Sequence, residues 1–246
     1  MEKNCSFLAD FIHSVRIRLT WAQLEIIKGG QEAFHIHIAG HEDSVNEIRV
    51  EEKDHEVTIS QPQYTAAMGI VSLKRWIQVC VRVPDGWKGE LDASTVSGTI
   101  SAHKICGDDI AFSTVSGSIH AISICGSHVG IRSISGAIAG DAIETKHLFL
   151  RTVSGKAKLE DVQSVTSKVF TVSGKICLQL GGGCKFIDLQ SISGDVQLFL
   201  KGPVKETSLR SLIGQCSVDE ELEKSEDGLD ISSISVTGSL TVSRLP

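Results

Sequence analysis

Five residues, Ser113-Thr114-Val115-Ser116-Gly117, recur in near-copy along this chain, and no other feature narrows the possible folds as much. Relatives stand at 94–98, 132–136, 151–155, 170–174, 190–194 and 210–214, with a looser one ending at Gly238. The closing glycines fall at 98, 117, 136, 155, 174, 194, 214 and 238, so the steps are 19, 19, 19, 19, 20, 20 and 24 residues. Eight copies at a nearly fixed period define a repeat architecture. A unit this small cannot enclose a core alone, whereas stacked units bury a continuous one. It is also too short for a four-stranded propeller blade, which takes about 40 residues or more.

The apolar residues can be laid on a ruler measured from each glycine. Ile110 and Phe112 stand seven and five residues before Gly117, and Val129 with Ile131, Leu148 with Leu150 and Ile187 with Leu189 repeat the placing. Two before the glycine are Val96, Val115, Ile134, Val153, Val172, Ile192, Leu212 and Val236. Two after it are Ile100, Ile119, Ile138, Ala157, Ile176, Val196, Cys216 and Leu240. The spacing runs by twos, slips by three before the glycine and runs by twos again. A strand cannot change phase without a bend, so each unit is expected to be two short strands with a corner in the Ser/Thr-x-Ser-Gly stretch. The glycine would sit on the inward phase between two apolar positions, where a side chain would meet the next layer, with a positive φ also open to it. The hydroxyl three before it would bond a backbone group freed by the corner. The corner positions are Thr95 with Gly98, Thr114 with Gly117, Ser133 with Gly136, Thr152 with Gly155, Thr171 with Gly174 and Ser191 with Gly194. An aromatic share of only 5 % suits thin stacked layers. The expected fold is all-β: a single-stranded, β-helix-like solenoid of about eight ~19-residue coils, roughly 38 Å long at ~4.8 Å per coil.

Ahead of the repeats the pattern is strand-like without a period. Leu24 and Ile26, then Phe34, Ile36 and Ile38, then Ile48 and Val50, then Val57 and Ile59 alternate with polar residues, the mark of half-buried strands. Residues 13–83 therefore read as an antiparallel meander, and residues 1–12 as a short helical or irregular lead-in. Residues 1–90 form a strand-rich cap and 91–246 the solenoid, as one continuous unit. Towards the other end, Gly181-Gly182-Gly183 lengthens a turn. The step of 24 reflects an acidic insert, 219–230, leaving the coil as a loop, and Arg244-Leu245-Pro246 closes the last edge.

The net charge of −6 lies entirely in that insert, which has seven acids and one lysine. No basic face remains for nucleic acid or an anionic membrane. The N-terminus lacks a basic start followed by an apolar run, and no stretch reaches ~18 apolar residues. A cytoplasmic setting with reduced thiols is expected for the seven cysteines. Cys106 and Cys125 each lie eight residues after their glycine and would stack in adjacent coils. A reduced core pair is the preferred reading, with a disulfide left open.

The run WIQVCVRVPDGWKGELDASTVSGTISA at 76–102, followed by the Val-Ser-Gly series to about Gly238, resembles a bacterial β-strand-repeat family of unknown function that carries the label "putative adhesin". The resemblance implies a β-helix-like solenoid with no established activity and no catalytic residues.

Candidate sites are few. His35 and His37 share one face of a strand and could meet a single metal ion, but no third ligand stands at tight spacing, so a solvated strand face is the preferred reading. Asp108-Asp109 could be half of a glycosidase pair; adjacent strand residues point to opposite faces, so a turn after Gly107 is preferred. Catalytic serines are single, and eight near-copies speak for structure. The same mixture of Ser and Thr, the Ile213 interruption and the bend argue against an ice-binding hydroxyl array. The acidic insert lacks the spaced Asp-x-Asp-x-Asp-Gly loop of a calcium site. Arg132, Arg151, Lys156, Lys158, Lys175 and Arg210 make one face somewhat basic in its middle and are the candidate contacts for a partner. A non-enzymatic structural or protein-interaction module follows, with no cofactor and no catalytic residue, facing a protein or surface partner and able to pair as a homodimer through a solenoid end. The competing reading is a carbohydrate-binding or carbohydrate-cleaving β-helix.

Overall fold

The computed structural model describes residues 1–30, 32–62, 76–219 and 222–245. Among these the protein is all-β, a single sheet with mostly parallel ladders wound into a stack of coils. Eight strands precede the regular part: β1 (Glu2–Leu8), β2 (Ser14–Leu19), β3 (Gln23–Lys28), β4 (Ala33–Gly40), β5 (Arg49–Lys53), β6 (Glu56–Ser60), β7 (Ile77–Val83) and β8 (Glu90–Thr95). Four long strands follow, β9 (Ile100–Thr114), β10 (Ile119–Ser133), β11 (Ile138–Thr152) and β12 (Lys156–Thr171). Then come β13 (Lys175–Leu180), β14 (Phe186–Ser191), β15 (Val196–Leu200), β16 (Val204–Ser211), β17 (Cys216–Val218), β18 (Leu229–Ser235) and β19 (Leu240–Arg244).

β9 to β12 pair in parallel with a register of 19, so Ile119 lies over Ile100, Ile131 over Phe112 and Ser133 over Thr114. Each repeat is triangular, with three short legs where two strands are expected. In β9 the buried positions are Ile100 and Ala102, then Ile105 and Gly107, then Ile110, Phe112 and Thr114. Between these groups two successive residues point outwards and the ladder skips one residue, Lys104 and then Asp108. At the first skip the chain turns through a left-handed residue in each of these four layers: Lys104, Ser123, Ala142 and Asp161 have φ of 57°, 56°, 52° and 45°. The third corner is the Ser/Thr-x-Ser-Gly stretch.

The stack's axis is a column of Ile, Leu, Val and Phe, each contributing about 1.5–3 kcal/mol on full burial. The corner glycines do not use a positive φ; among the described residues the glycines with one are Gly30, Gly86 and Gly183. Space is what they supply. A Cβ on Gly117 would overlap the carbonyl oxygen of Gly98, and Gly136, Gly155, Gly174 and Gly194 stand in the same relation to the glycine beneath.

The lead-in departs from a plain meander. β1, β4 and β7 are antiparallel neighbours, as are β5 and β6. β2 and β3, however, pair only in parallel, β2 between β6 and β8, and β3 between β7 and β9. They form a coil ahead of the first Val-Ser-Gly, with Ala22 where the repeats have glycine: a Cβ on Gly98 would overlap the Ala22 carbonyl oxygen. Residues 2–8, expected to be helical or irregular, form an edge strand whose alternate residues stay exposed, followed by one 3-10 turn at Ala9–Phe11. The notional break at residue 90 is crossed by these ladders.

At the other end the stacking order departs from the chain order. β18 lies between β14 and β16, and β19 between β15 and β17. The coil made last is thus inserted beneath the coil of β16 and β17. Gly238 packs on Gly194, and Gly214 on Gly238. Consequently the insert is more than a solvated excursion: within 222–228, Lys224 pairs with Val204 at the end of the stack, and the chain then returns inside as β18. Arg244 does not close the last edge; β16 and β17 form it.

Candidate functional site

The corner motif divides its polar work between two residues. Except at Ser211, the hydroxyl three before the glycine is buried and bonds within its own corner. Thr114 Oγ1 accepts from the Gly117 N–H at 2.9 Å, and Ser133 and Ser191 Oγ donate to the Gly136 and Gly194 carbonyls at 2.8 and 2.6 Å. The serine just before the glycine bonds between coils: Ser116 Oγ donates to the Val96 carbonyl at 3.2 Å, and Ser135, Ser154 and Ser173 repeat the bond. The buried hydroxyls serve backbone groups inside the corner, while each serine hydroxyl adds a second bond to a carbonyl that already accepts the same serine's N–H, as Val96 does from Ser116 at 2.8 Å.

Between these two hydroxyl residues lies the position expected to face the core. The structure turns it outwards. Val115 is 40 % exposed and Ile134 50 %, and Val96, Ile192 and Val236 follow suit. The reason is the corner itself, which places two outward residues between the inward hydroxyl residue and the inward glycine. An aliphatic ridge therefore runs along one edge of the solenoid, one side chain per coil. Beside its first coils lies a groove of about 480 Å³. Val96, Val115, Ile134 and Val153 form one wall; Ser94, Ser113, Arg132 and Arg151 form the other, and Arg18, Leu19 and Gln61 close one end. No carboxylate lines it among the described residues.

The arginines are held in different ways. Arg18 is paired with the Asp92 carboxylate. Arg132 lies over the Phe149 ring at 4.9 Å and Arg151 over Phe170 at 5.0 Å. Stacking fixes each guanidinium plane while leaving its N–H groups able to donate. Among the described residues neither has a carboxylate partner within 4.0 Å. Of the basic residues picked out from the sequence, then, Arg132 and Arg151 flank the groove together. Lys156, Lys158 and Lys175 lie on the leg beyond the ridge, where Lys158 pairs with Glu160 at 2.8 Å, and Arg210 stands at the far end of the stack.

The remaining candidates are placed as follows. His35 Nδ1 meets Ser6 Oγ at 2.9 Å and His37 Nδ1 meets Asn4 Oδ1 at 2.7 Å, both on the outer face of β4 towards β1. Among the described residues no three His, Cys, Asp or Glu side chains gather as a metal site. Asp108 and Asp109 are exposed at the corner where the ladder skips. Cys106 and Cys125 are direct neighbours in register, bridged as a disulfide on the outer face, with Cα atoms 4.5 Å apart. The reduced core pair is corrected on both counts, because the phase slip after Ala102 turns position 106 outwards. Burial pushes the Cys184 thiol above its usual range. The Ser239 hydroxyl, bonded to the Asp195 carboxylate at 2.5 Å, holds that acid below its usual range. Among the described residues no helix is long and apolar enough to cross a membrane.

This fold and its repeat define a family. Residues 12–239 match the Toastrack DUF4097 family, a domain of unknown function, and the chain belongs to it. No curated protein matches the sequence. Among solved structures, a "putative adhesin" from Bacteroides fragilis is similar at 13 % identity, with 100 % of this chain and 97 % of that chain covered and a TM-score of 0.59. A "putative lipid binding protein" from Parabacteroides distasonis is similar at 14 % identity, with the same coverages of 100 % and 97 % and a TM-score of 0.55. A further "putative adhesin" from P. distasonis has 8 % identity, coverages of 100 % and 97 % and a TM-score of 0.51. At these identities the likeness is one of fold.

Proposed function

We propose that this chain is a non-enzymatic binding module, a solenoid of about eight coils, that holds an extended apolar ligand carrying an anionic group in the groove beside the ridge. The observation behind this is the pairing of an aliphatic wall with two guanidiniums that have no carboxylate partner. A groove is the default place for a small ligand when it is mostly apolar with a few convergent polar groups. An acyl-chain carboxylate fits that description, its chain along Val96, Val115 and Ile134 and its carboxylate at Arg132 and Arg151. The description of one structure of this fold as lipid binding points the same way. Carbohydrate cleavage finds no support, because a glycosidase needs two carboxyls flanking the bond and this groove is lined by none.

Calorimetric titration with dodecanoate, kept below its micelle concentration, tests the reading. Saturable binding is expected, with a neutral alcohol of equal length binding more weakly. A charge-assisted hydrogen bond contributes about 1.5–3 kcal/mol, so the double change Arg132→Gln with Arg151→Gln should weaken binding by roughly tenfold or more. Ile134→Asp should abolish it. Absence of saturable binding, or binding indifferent to these changes, overturns the reading.

A further inference from the structure

We propose that the open end of the stack is a homodimer interface, in which β16 pairs antiparallel with β16 of a second copy about a two-fold axis through Ser208. β16 is hydrogen-bonded on one side only, to β18. On its other side the insert reaches Val204 alone: the Val204 N–H donates to the Glu223 carbonyl at 2.8 Å and the Ser225 N–H to the Val204 carbonyl at 3.1 Å. Among the described residues no other strand or backbone group pairs with the outer edge of 205–211. Such an edge is a template for another strand.

The phase of that edge selects its partner. The Leu212 N–H donates to the Ser235 carbonyl at 3.1 Å, so by alternation Ser208 and Arg210 also turn their backbone groups to β18, while Thr207 and Leu209 turn theirs outwards. In an antiparallel pair centred on Ser208, Thr207 of one copy therefore faces Leu209 of the other as a fully hydrogen-bonded pair. On the outer face the same register sets Glu206 of each copy against Arg210 of the other, twice per dimer. Neither residue has a salt-bridge partner among the described residues. A sequence whose charges match their own image two residues either side of a centre is suited to an isologous contact.

The layer beneath supplies the apolar part. Thr207 and Leu209 stand over Ile231 and Ser233, and Cys216 and Val218 over Leu240 and Val242. Those of the inner coil are buried, whereas Thr207, Cys216 and Val218 are exposed because no layer covers them. Leu212 and Ile213 are 78 % and 75 % exposed at the same end. Two such ends facing each other bury both layers. The groove lies at the opposite end of the stack, so this interface stands or falls separately from ligand binding.

Sedimentation velocity on the full chain, from about 1 to 100 µM, reads the association directly. Wild type is expected to dimerise. Glu206→Arg or Arg210→Glu alone sets like charges face to face and should raise Kd by roughly tenfold or more, and the two together should restore it. In a Cys216→Ser background, Ser208→Cys brings two thiols to a non-hydrogen-bonded pair about 4.5 Å apart between Cα atoms, close enough to bridge. Mild oxidation should then give a covalent dimer, which Lys88→Cys at the far end should not. A monomer at every concentration, an association both single reversals leave intact, a double reversal that fails to restore it, or no Ser208→Cys cross-link overturns the proposal.

Discussion

The two ends of this solenoid solve the same problem in opposite ways. A coil stack buries every layer except the first and last, and those two need something else. At the N-terminal end that something is non-repetitive sequence. β1, β4 and β7 lay an antiparallel sheet beyond one leg, and β5 and β6 extend another. Phe34 meets Trp87 edge to face at 5.2 Å, the indole N–H donates to the Ile12 carbonyl at 2.7 Å, and the Gln61 amide oxygen accepts from the Thr20 and Trp21 N–H groups. At the C-terminal end the last coil repeats the motif in a worn form, with Ile213 where the stitching serine should be and a Ser211 hydroxyl without a hydrogen-bond partner. The difference teaches that the repeat encodes a layer and not a stop. Closure has to come from sequence outside the pattern or from another molecule.

Substitutions at matched positions should widen or erase this contrast. Trp87→Ala removes a buried ring and its hydrogen bond and should cost about 3–5 kcal/mol, whereas Leu209→Ala should cost below about 1 kcal/mol in the monomer because its site is half open. Urea unfolding checks both. Gly136→Ala drives a methyl into the Gly117 carbonyl between two fixed layers, and a loss of about 3 kcal/mol or more is expected. Gly214→Ala makes the same contact with Gly238, but among the described residues no further glycine corner stacks on it and it can lift; a loss of about 1 kcal/mol is expected. Equal losses would mean that the open end is as rigid as the middle of the stack.

Hydroxyl removal is a milder probe. Thr152→Val deletes a buried, bonded hydroxyl and should destabilise by about 1–2 kcal/mol, while Ser211→Ala removes an unpartnered one and should be neutral or slightly stabilising. The smallest effect concerns the seat of the inserted coil, where Ser239 bonds Asp195. Because that carboxyl titrates below its usual range in the folded state, its contribution is present above the unfolded value and fades as pH falls through the folded one. Asp195→Asn should therefore lower the melting temperature slightly at neutral pH and not at all in acid. A difference that persists in acid would detach the effect from ionisation.

The sequence made the stack legible because its period is written in residues that can do only one thing. Gly117 has no substitute in a layer whose neighbour's carbonyl occupies the Cβ position. Other features were hidden to different depths. Ile105, Ile124, Ile143 and Val162 form a column seven residues after each glycine; they mark the second leg, and a search beyond the first apolar positions would have found it. The outward turn of Val115 is less accessible, since an aliphatic at a regular offset looks the same whether it lines a core or a ridge. The groove follows from that turn, so it was invisible until the corner geometry was known. The coil of β2 and β3 is disguised because Leu19-Thr20-Trp21-Ala22 carries the corner without the Ser-Gly signature. The seat of β18 and β19 was not legible at all. Every coil carries the same layer chemistry, so nothing local says between which two it belongs.

That insertion also sets a timetable for a chain made from its N-terminus. Coils as far as β15 can stack in the order in which they leave the ribosome. β16 and β17 emerge next, and their seat does not yet exist; in the finished protein they touch the stack through β18 and β19, which are still unmade. The final strands must enter an existing edge, and only then can the preceding coil settle over them. The stack cannot be completed until β18 and β19 have been made, and a chain released short of Leu229 would carry a loose coil with no surface made for it.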